Sequence, residues 1–140
     1  MNEARFPKKI SMEVIMTKQT LSTQQAPAAI GPYSQGISLG DLVFTSGQLP
    51  IDPVTGQMPE GIEEQARQSL KNVSAVLAAA GSSMEKAVKI TVFMANMADF
   101  AAVNEVYKTF FSKDCPARSA VEVACLPKNA GIEIEAIAFK

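Results

Sequence analysis

Polar and apolar residues alternate along Ile132-Glu-Ile-Glu-Ala-Ile-Ala-Phe. Ile132, Ile134, Ala136 and Ala138 fall on one side, with Glu133, Glu135, Ile137 and Phe139 on the other. This predicts a strand with apolar groups on both faces. Val88-Lys-Ile-Thr-Val-Phe-Met alternates in the same way and is rich in β-branched residues, predicting a second strand, and Arg118 to Ala124 predicts a third. Nearer the start, Gly36-Ile-Ser-Leu and Leu42-Val-Phe-Thr-Ser flank Gly40-Asp41, a two-residue link with glycine first that suits a type II′ hairpin. The period then changes. Ile62, Ala66, Leu70, Val73, Leu77 and Ala80 recur at helical spacing after a turn-rich connection containing Pro50, Pro53, Gly56, Pro59 and Gly61. Glu60, Glu63 and Glu64 favour the positive end of that helix dipole, and Gly81 supplies a residue able to take φ > 0 at its end. Ser82-Ser83 suit the cap of a short turn. Phe100, Val103, Tyr107, Phe110 and Phe111 mark the apolar face of a second helix, with Asn96 a candidate cap.

The order hairpin, helix, strand, helix, strand, strand predicts an α+β chain in which two helices cover one face of a single sheet. Because the last strand is apolar on both sides, the uncovered face predicts a homo-oligomer packed sheet against sheet. Residues 1–18 mix charges with isolated apolar residues around Pro7 and are expected to form a flexible extension, with Met16 an alternative start and residues 19–140 a single domain.

Composition narrows the chemistry. The net charge of −1 and the absence of any Lys/Arg run longer than Lys8-Lys9 remove the basic field that non-specific nucleic-acid binding requires. No apolar run approaches the ~18 to 20 residues of a membrane helix, and Ile10 to Met16 is interrupted by Glu13, unlike a signal peptide, so a cytoplasmic protein is expected. In that compartment Cys115 and Cys125 are expected to be reduced thiols. The chain contains no histidine, which excludes Ser-His-Asp and Cys-His catalysis and any His-ligated metal. No metal site is expected. No glycine-rich phosphate loop is present either, so no nucleotide cofactor is predicted.

Several polar residues stand in apolar surroundings. Arg118 opens a strand, where its planar fork suits either a structural salt bridge, the stronger reading from spacing alone, or a bidentate grip on a carboxylate. Glu133 and Glu135 share one side of the last strand, a solvated face by the simplest reading. Asn104 lies on the apolar side of the second helix, where a buried amide needs a partner. Tyr33 follows the break at Gly31-Pro32, and Gly47 in Ser46-Gly-Gln marks either a bulge or a close approach to a ligand.

The stretch Cys115-Pro-Ala-Arg-Ser-Ala-Val-Glu-Val-Ala, with Leu126-Pro-Lys and Gly131-Ile-Glu-Ile-Glu-Ala-Ile-Ala, closely resembles the signature of the Rid family of reactive intermediate deaminases, the RidA/YjgF group. The resemblance runs from about Thr20 to the C-terminus. It implies a chorismate-mutase-like mixed sheet and a homotrimer whose sheets pack into a central barrel, with pockets in the clefts between subunits. It further implies hydrolysis of the 2-enamine/2-imine acids released by pyridoxal-phosphate dehydratases, without any cofactor. By the same resemblance Arg118 binds the substrate carboxylate, Glu133 positions the hydrolytic water and Tyr33 stands at the pocket mouth. Ser46 and the Gly47 backbone line the pocket, and Asn104 enters it from a neighbouring subunit. Glu122 and Glu135 are left structural. Ala120 departs from the commonest pattern, which has cysteine directly after Arg-Ser; its backbone carbonyl remains able to orient water, so it is counted with the binding residues. Were the last two strands a plain hairpin, Glu133 would lie opposite about Glu122 and roughly 13 Å from Arg118, a separation that a site spanning two subunits removes. Two other functions fit parts of the pattern: a non-catalytic sensor of small carboxylates, and an RNA-directed translation inhibitor, which the acidic balance disfavours.

Overall fold

The strand that is apolar on both sides takes a central place in the sheet. In the computed structural model, which describes residues 16–140, the strands are β1 (Lys18–Leu21), β2 (Gly36–Leu39), β3 (Leu42–Thr45), β4 (Ala87–Met94), β5 (Ala117–Glu122) and β6 (Ile132–Phe139). They form one mixed sheet in the order β1-β2-β3-β6-β4-β5, antiparallel except for the β4–β5 pair. The expected hairpin is β2–β3, turning at Gly40 with φ +56°. The expected extension lies outside the described residues up to residue 15, and Lys18, counted as its last residue, already pairs with Leu39. Strand β1 carried no apolar alternation by which to find it; its first three residues are exposed.

The two helices, α1 (Ile62–Ala79) and α2 (Phe100–Phe110), cover one face. Leu70, Val73 and Leu77 of α1 and Val103 of α2 are fully buried with Ile90, Val92 and Met94 of β4 and Ile132 and Ile134 of β6. Helix α1 stops as expected. Gly81 takes φ +77°, and the Ser82 N–H donates to the Leu77 carbonyl. Asn96 caps the 3-10 turn Met97–Asp99 that leads into α2, its Oδ1 accepting from the Ala98 N–H at 3.0 Å. Ser82-Ser83 do not cap by side chain: Ser82 Oγ instead donates to the Phe139 carbonyl at 2.6 Å, pinning the end of β6.

The last two strands are not a hairpin. Helix α2 returns the chain to the end of the sheet where β4 began, so β5 runs parallel to β4 along its free edge, and β6 enters between β3 and β4. The central slot thereby goes to the strand that can bury both faces. On the face away from the helices, Phe44, Phe93 and Ile137 are half-buried, while Leu42, Val121 and Phe139 are 39%, 44% and 44% exposed. Among the described residues no helix is long and apolar enough to cross a membrane.

Candidate functional site

A bulge after β3 shapes the first part of the site. Phe44 pairs with Ile137 and Gln48 with Ile134, so four steps along one strand face three along the other, and one extra residue is absorbed at Ser46-Gly47. The bulge resets the alternation. Gln48 turns its side chain to the buried side, and Gly47 comes against Glu133, where an added Cβ would collide with Oε1 and stand 2.8 Å from Cδ. The bulge expected at Gly47 is therefore present, and the group that approaches its backbone is the Glu133 side chain.

Glu133 thus lines a cleft of about 850 Å³ together with Tyr33, Ser46, Gly47, Ile51 and Glu135. Partial burial, and after it the neighbouring Glu135 carboxylate, push the pKa of Glu133 above the usual glutamate value. No ion pair among the described residues includes it. The structure therefore moves Glu135, left structural by the sequence, into the cleft wall, where it acts on Glu133 through charge.

The Tyr33 segment is held by buried amides. Ser46 Oγ donates to the Ser34 carbonyl at 2.5 Å, so its proton is engaged within the protein and the hydroxyl ties the tyrosine segment to the bulge. Tyr33 is 52% exposed, and its hydroxyl accepts from the Ile30 N–H at 3.3 Å, leaving its own proton free for the cleft. Gln35 is buried beneath this segment, its Nε2 donating to the carbonyls of Thr23, Ala26 and Pro27 while Oε1 accepts from the Thr23 N–H. Asn72 of α1 does the same for the opposite wall, its Nδ2 donating to the Leu49 and Ile51 carbonyls at 2.9 Å. Neither amide was found from sequence. Gln35 carries no signal in the spacing around it, and Asn72 sits silently among the apolar positions of α1. Gln35→Ala is expected to lower unfolding stability by about 3 kcal/mol, from four hydrogen bonds at about 0.5–1.5 kcal/mol each, as read from urea unfolding.

Arg118 is elsewhere. It pairs with Ile90, whose side chain is buried under the helices, whereas Glu133 pairs with Phe93 on the open face. The two site residues therefore project from opposite faces, displaced by three rows and two strands, about 10 Å along and about 10 Å across the sheet. On its own face Arg118 meets α2: Nη1 donates to Asn104 Oδ1 at 2.9 Å, and the guanidinium carbon lies 4.5 Å from the Tyr107 ring centroid and 5.3 Å from that of Phe100. Ala120 follows on the same face of β5 and packs against the core. Glu122, read as structural, accepts from the Met97 N–H at 3.4 Å. The sequence-predicted residues thus fall into two groups within one chain: Tyr33, Ser46, Gly47 and Glu133 in the cleft, and Asn104, Arg118 and Ala120 at the β5 edge.

Comparison with known proteins agrees with this architecture. The profile of the endoribonuclease L-PSP family matches residues 23–140. A 2-iminobutanoate/2-iminopropanoate deaminase of Salmonella typhimurium is 54% identical over 125 residues, covering 87% of this chain and 98% of the relative. Among solved structures, E. coli TdcF with bound serine superposes with a TM-score of 0.85 at 52% identity, and the YjgF gene product of E. coli with 0.85 at 53%; each comparison covers 87% of this chain and 98% of the other.

Proposed function

Because the chain belongs to the Rid family, the YjgF or endoribonuclease L-PSP group, we propose that it is an enamine/imine deaminase hydrolysing 2-iminobutanoate, 2-iminopropanoate and their enamine tautomers to 2-oxo acids and ammonia. The observation that carries this reading is the carboxylate of Glu133, held against the Gly47 backbone in a partly desolvated cleft and without an ion-pair partner among the described residues. A carboxylate so placed is available to take a proton from water.

The site is completed by a second copy. In a homotrimer with its apolar sheet faces packed into a central barrel, Arg118 and Asn104 of one subunit face Tyr33, Gly47 and Glu133 of the next. The projection of Arg118 and Glu133 from opposite faces supports this, since no side-chain rotation within one chain brings them to one small molecule. Arg118 holds the substrate carboxylate through its planar fork; TdcF binds serine, which carries a carboxylate of the same kind. Water oriented by Glu133 adds its oxygen to the imine carbon and gives a proton to the carboxylate. That proton passes to nitrogen, giving the carbinolamine; its hydroxyl proton is then carried by the carboxylate to the amino group, the C–N bond breaks, ammonia leaves and the 2-oxo group forms. The Tyr33 hydroxyl and the Ala120 carbonyl fix water and substrate; Ser46 holds the wall. Chemistry of this kind needs no organic cofactor, because imines already hydrolyse in water and orientation with proton transfer supplies about 10²–10⁴ in rate.

The bound serine in TdcF also favours a second reading, retention of small carboxylates without turnover. Coupling the protein to a threonine dehydratase in weak buffer and following 2-oxobutanoate formation separates the two. Acceleration is expected; binding of 2-oxobutanoate without acceleration would leave the sensor reading.

A pH dependence follows. Water activation needs Glu133 ionised; within one chain burial and Glu135 raise its pKa, while in the assembled site the Arg118 guanidinium of the next subunit lowers it, and the acid limb of kcat/KM follows the balance of the two. For stability the sign is opposite to that of a salt-bridged carboxylate. Protonated Glu133 favours the native state below the unfolded pKa, and this contribution is lost as pH rises through the folded value. Glu135→Gln removes the smaller of the two causes and leaves desolvation, so the acid limb is expected to move part of the way towards lower pH. A limb that stays in place, or moves upward, would show that Glu135 does not act on the water-activating group.

A further inference from the structure

Phe100, Asn104 and Tyr107 follow one another at helical spacing, four and three residues apart, and so form a single stripe on α2. That stripe faces Arg118. The Asn104 amide oxygen fixes one guanidinium nitrogen, and the two rings stand at 5.3 and 4.5 Å from the guanidinium carbon. A side chain with four rotatable bonds is thereby held in one orientation, with Asn104 its one side-chain hydrogen-bond partner among the described residues. Tyr107 is buried, yet its hydroxyl has no hydrogen-bond partner among the described residues. A buried hydroxyl without a partner is unfavourable, so the phenol oxygen does not explain why an aromatic residue stands there. The ring, lying over the guanidinium, does.

We propose that Phe100 and Tyr107 are positioning residues that hold the Arg118 guanidinium ready for the substrate carboxylate, so that its orientation is fixed before the ligand arrives. Neither ring touches substrate; both act through Arg118. The inference rests on the reading of Arg118 as the carboxylate-binding group. A flexible arginine loses rotamer freedom on gripping its ligand, whereas a clamped one has lost it on folding. Cation–π contact of this kind changes affinity by about 2- to 30-fold, which sets the scale of the effect.

The test compares wild type, Tyr107→Leu, Tyr107→Phe, Phe100→Leu and Arg118→Ala, with calorimetric binding of 2-oxobutanoate and of its uncharged amide, 2-oxobutanamide. Tyr107→Leu is expected to raise the Kd for 2-oxobutanoate about tenfold, with KM rising in step and kcat changing less than about threefold. Binding of the amide should be unaffected. Tyr107→Phe keeps the ring and is expected to restore wild-type affinity, with unchanged or higher thermal stability once the unpaired hydroxyl is gone. A general packing defect would instead weaken acid and amide together. If Tyr107→Leu fails to fold, Phe100→Leu carries the same comparison. Wild-type affinity in a folded leucine variant, with binding lost in Arg118→Ala, overturns the clamp and leaves the carboxylate reading standing. Undiminished binding in Arg118→Ala overturns both.

Discussion

Glu133→Gln is expected to lower kcat by about 10²–10⁴, to the rate at which the free imine hydrolyses in buffer, while the Kd for 2-oxobutanoate stays within about threefold. The substitution preserves the volume pressed against Gly47 while removing the charge, and with it the ability to accept a proton. Glutamine also removes the burial penalty that raises the Glu133 pKa, so the variant should be at least as stable as wild type near neutral pH. Loss of turnover in a more stable protein distinguishes a catalytic role from a structural one. Unchanged acceleration of 2-oxobutanoate formation by the variant, in a folded protein that still binds the product, would remove Glu133 from the mechanism. Gly47→Ala would reach the same carboxylate indirectly, which makes it a poorer first experiment: a colliding methyl group displaces both backbone and side chain.

Much of this architecture was legible because its signals are local. The two faces of β6, the helical stripe of α1 and the glycine-first turn of the hairpin each depend on residues close in sequence, and each stands where expected. Strand β1 was missed because an exposed edge strand leaves no apolar period; Lys18 to Leu21 are placed by pairing with β2 alone. The pairing of the last two strands was left open by the sequence for a different reason. Strand pairing is decided by which strand can bury both faces, and that competition is settled across the whole sheet. For the site, family resemblance supplied candidate residues but not the faces from which they project. Only the register, Arg118 with Ile90 and Glu133 with Phe93, places them on opposite sides of one sheet. Nor could spacing reveal that Gln35 and Asn72 hold the loops of the cleft or that Tyr107 lies over Arg118, since a buried polar residue amid apolar neighbours looks the same whether it holds a loop or fills a core.

That opposition of faces leads to the sharpest test of the assembled site. Arg118→Ala and Glu133→Gln subunits should each be inactive as homo-oligomers, the first for want of the carboxylate grip and the second for want of water activation. Co-assembled in equal amounts, they regain sites wherever an intact Arg118 from one chain meets an intact Glu133 from its neighbour. With random assembly each member of that pair is intact half the time, so about a quarter of wild-type activity per site is expected in any closed ring of identical contacts. A site contained within a single chain gives no recovery at all, because every chain in the mixture lacks one of the two groups. Sedimentation of the same mixture counts the subunits independently, three being expected. Recovery near a quarter in a trimer would place Arg118 and Glu133 across one subunit boundary. Activity no greater than that of the parents, in oligomers proven to be mixed, would return both residues to one chain and require the sheet to deform by about 10 Å, which a closely packed core does not allow.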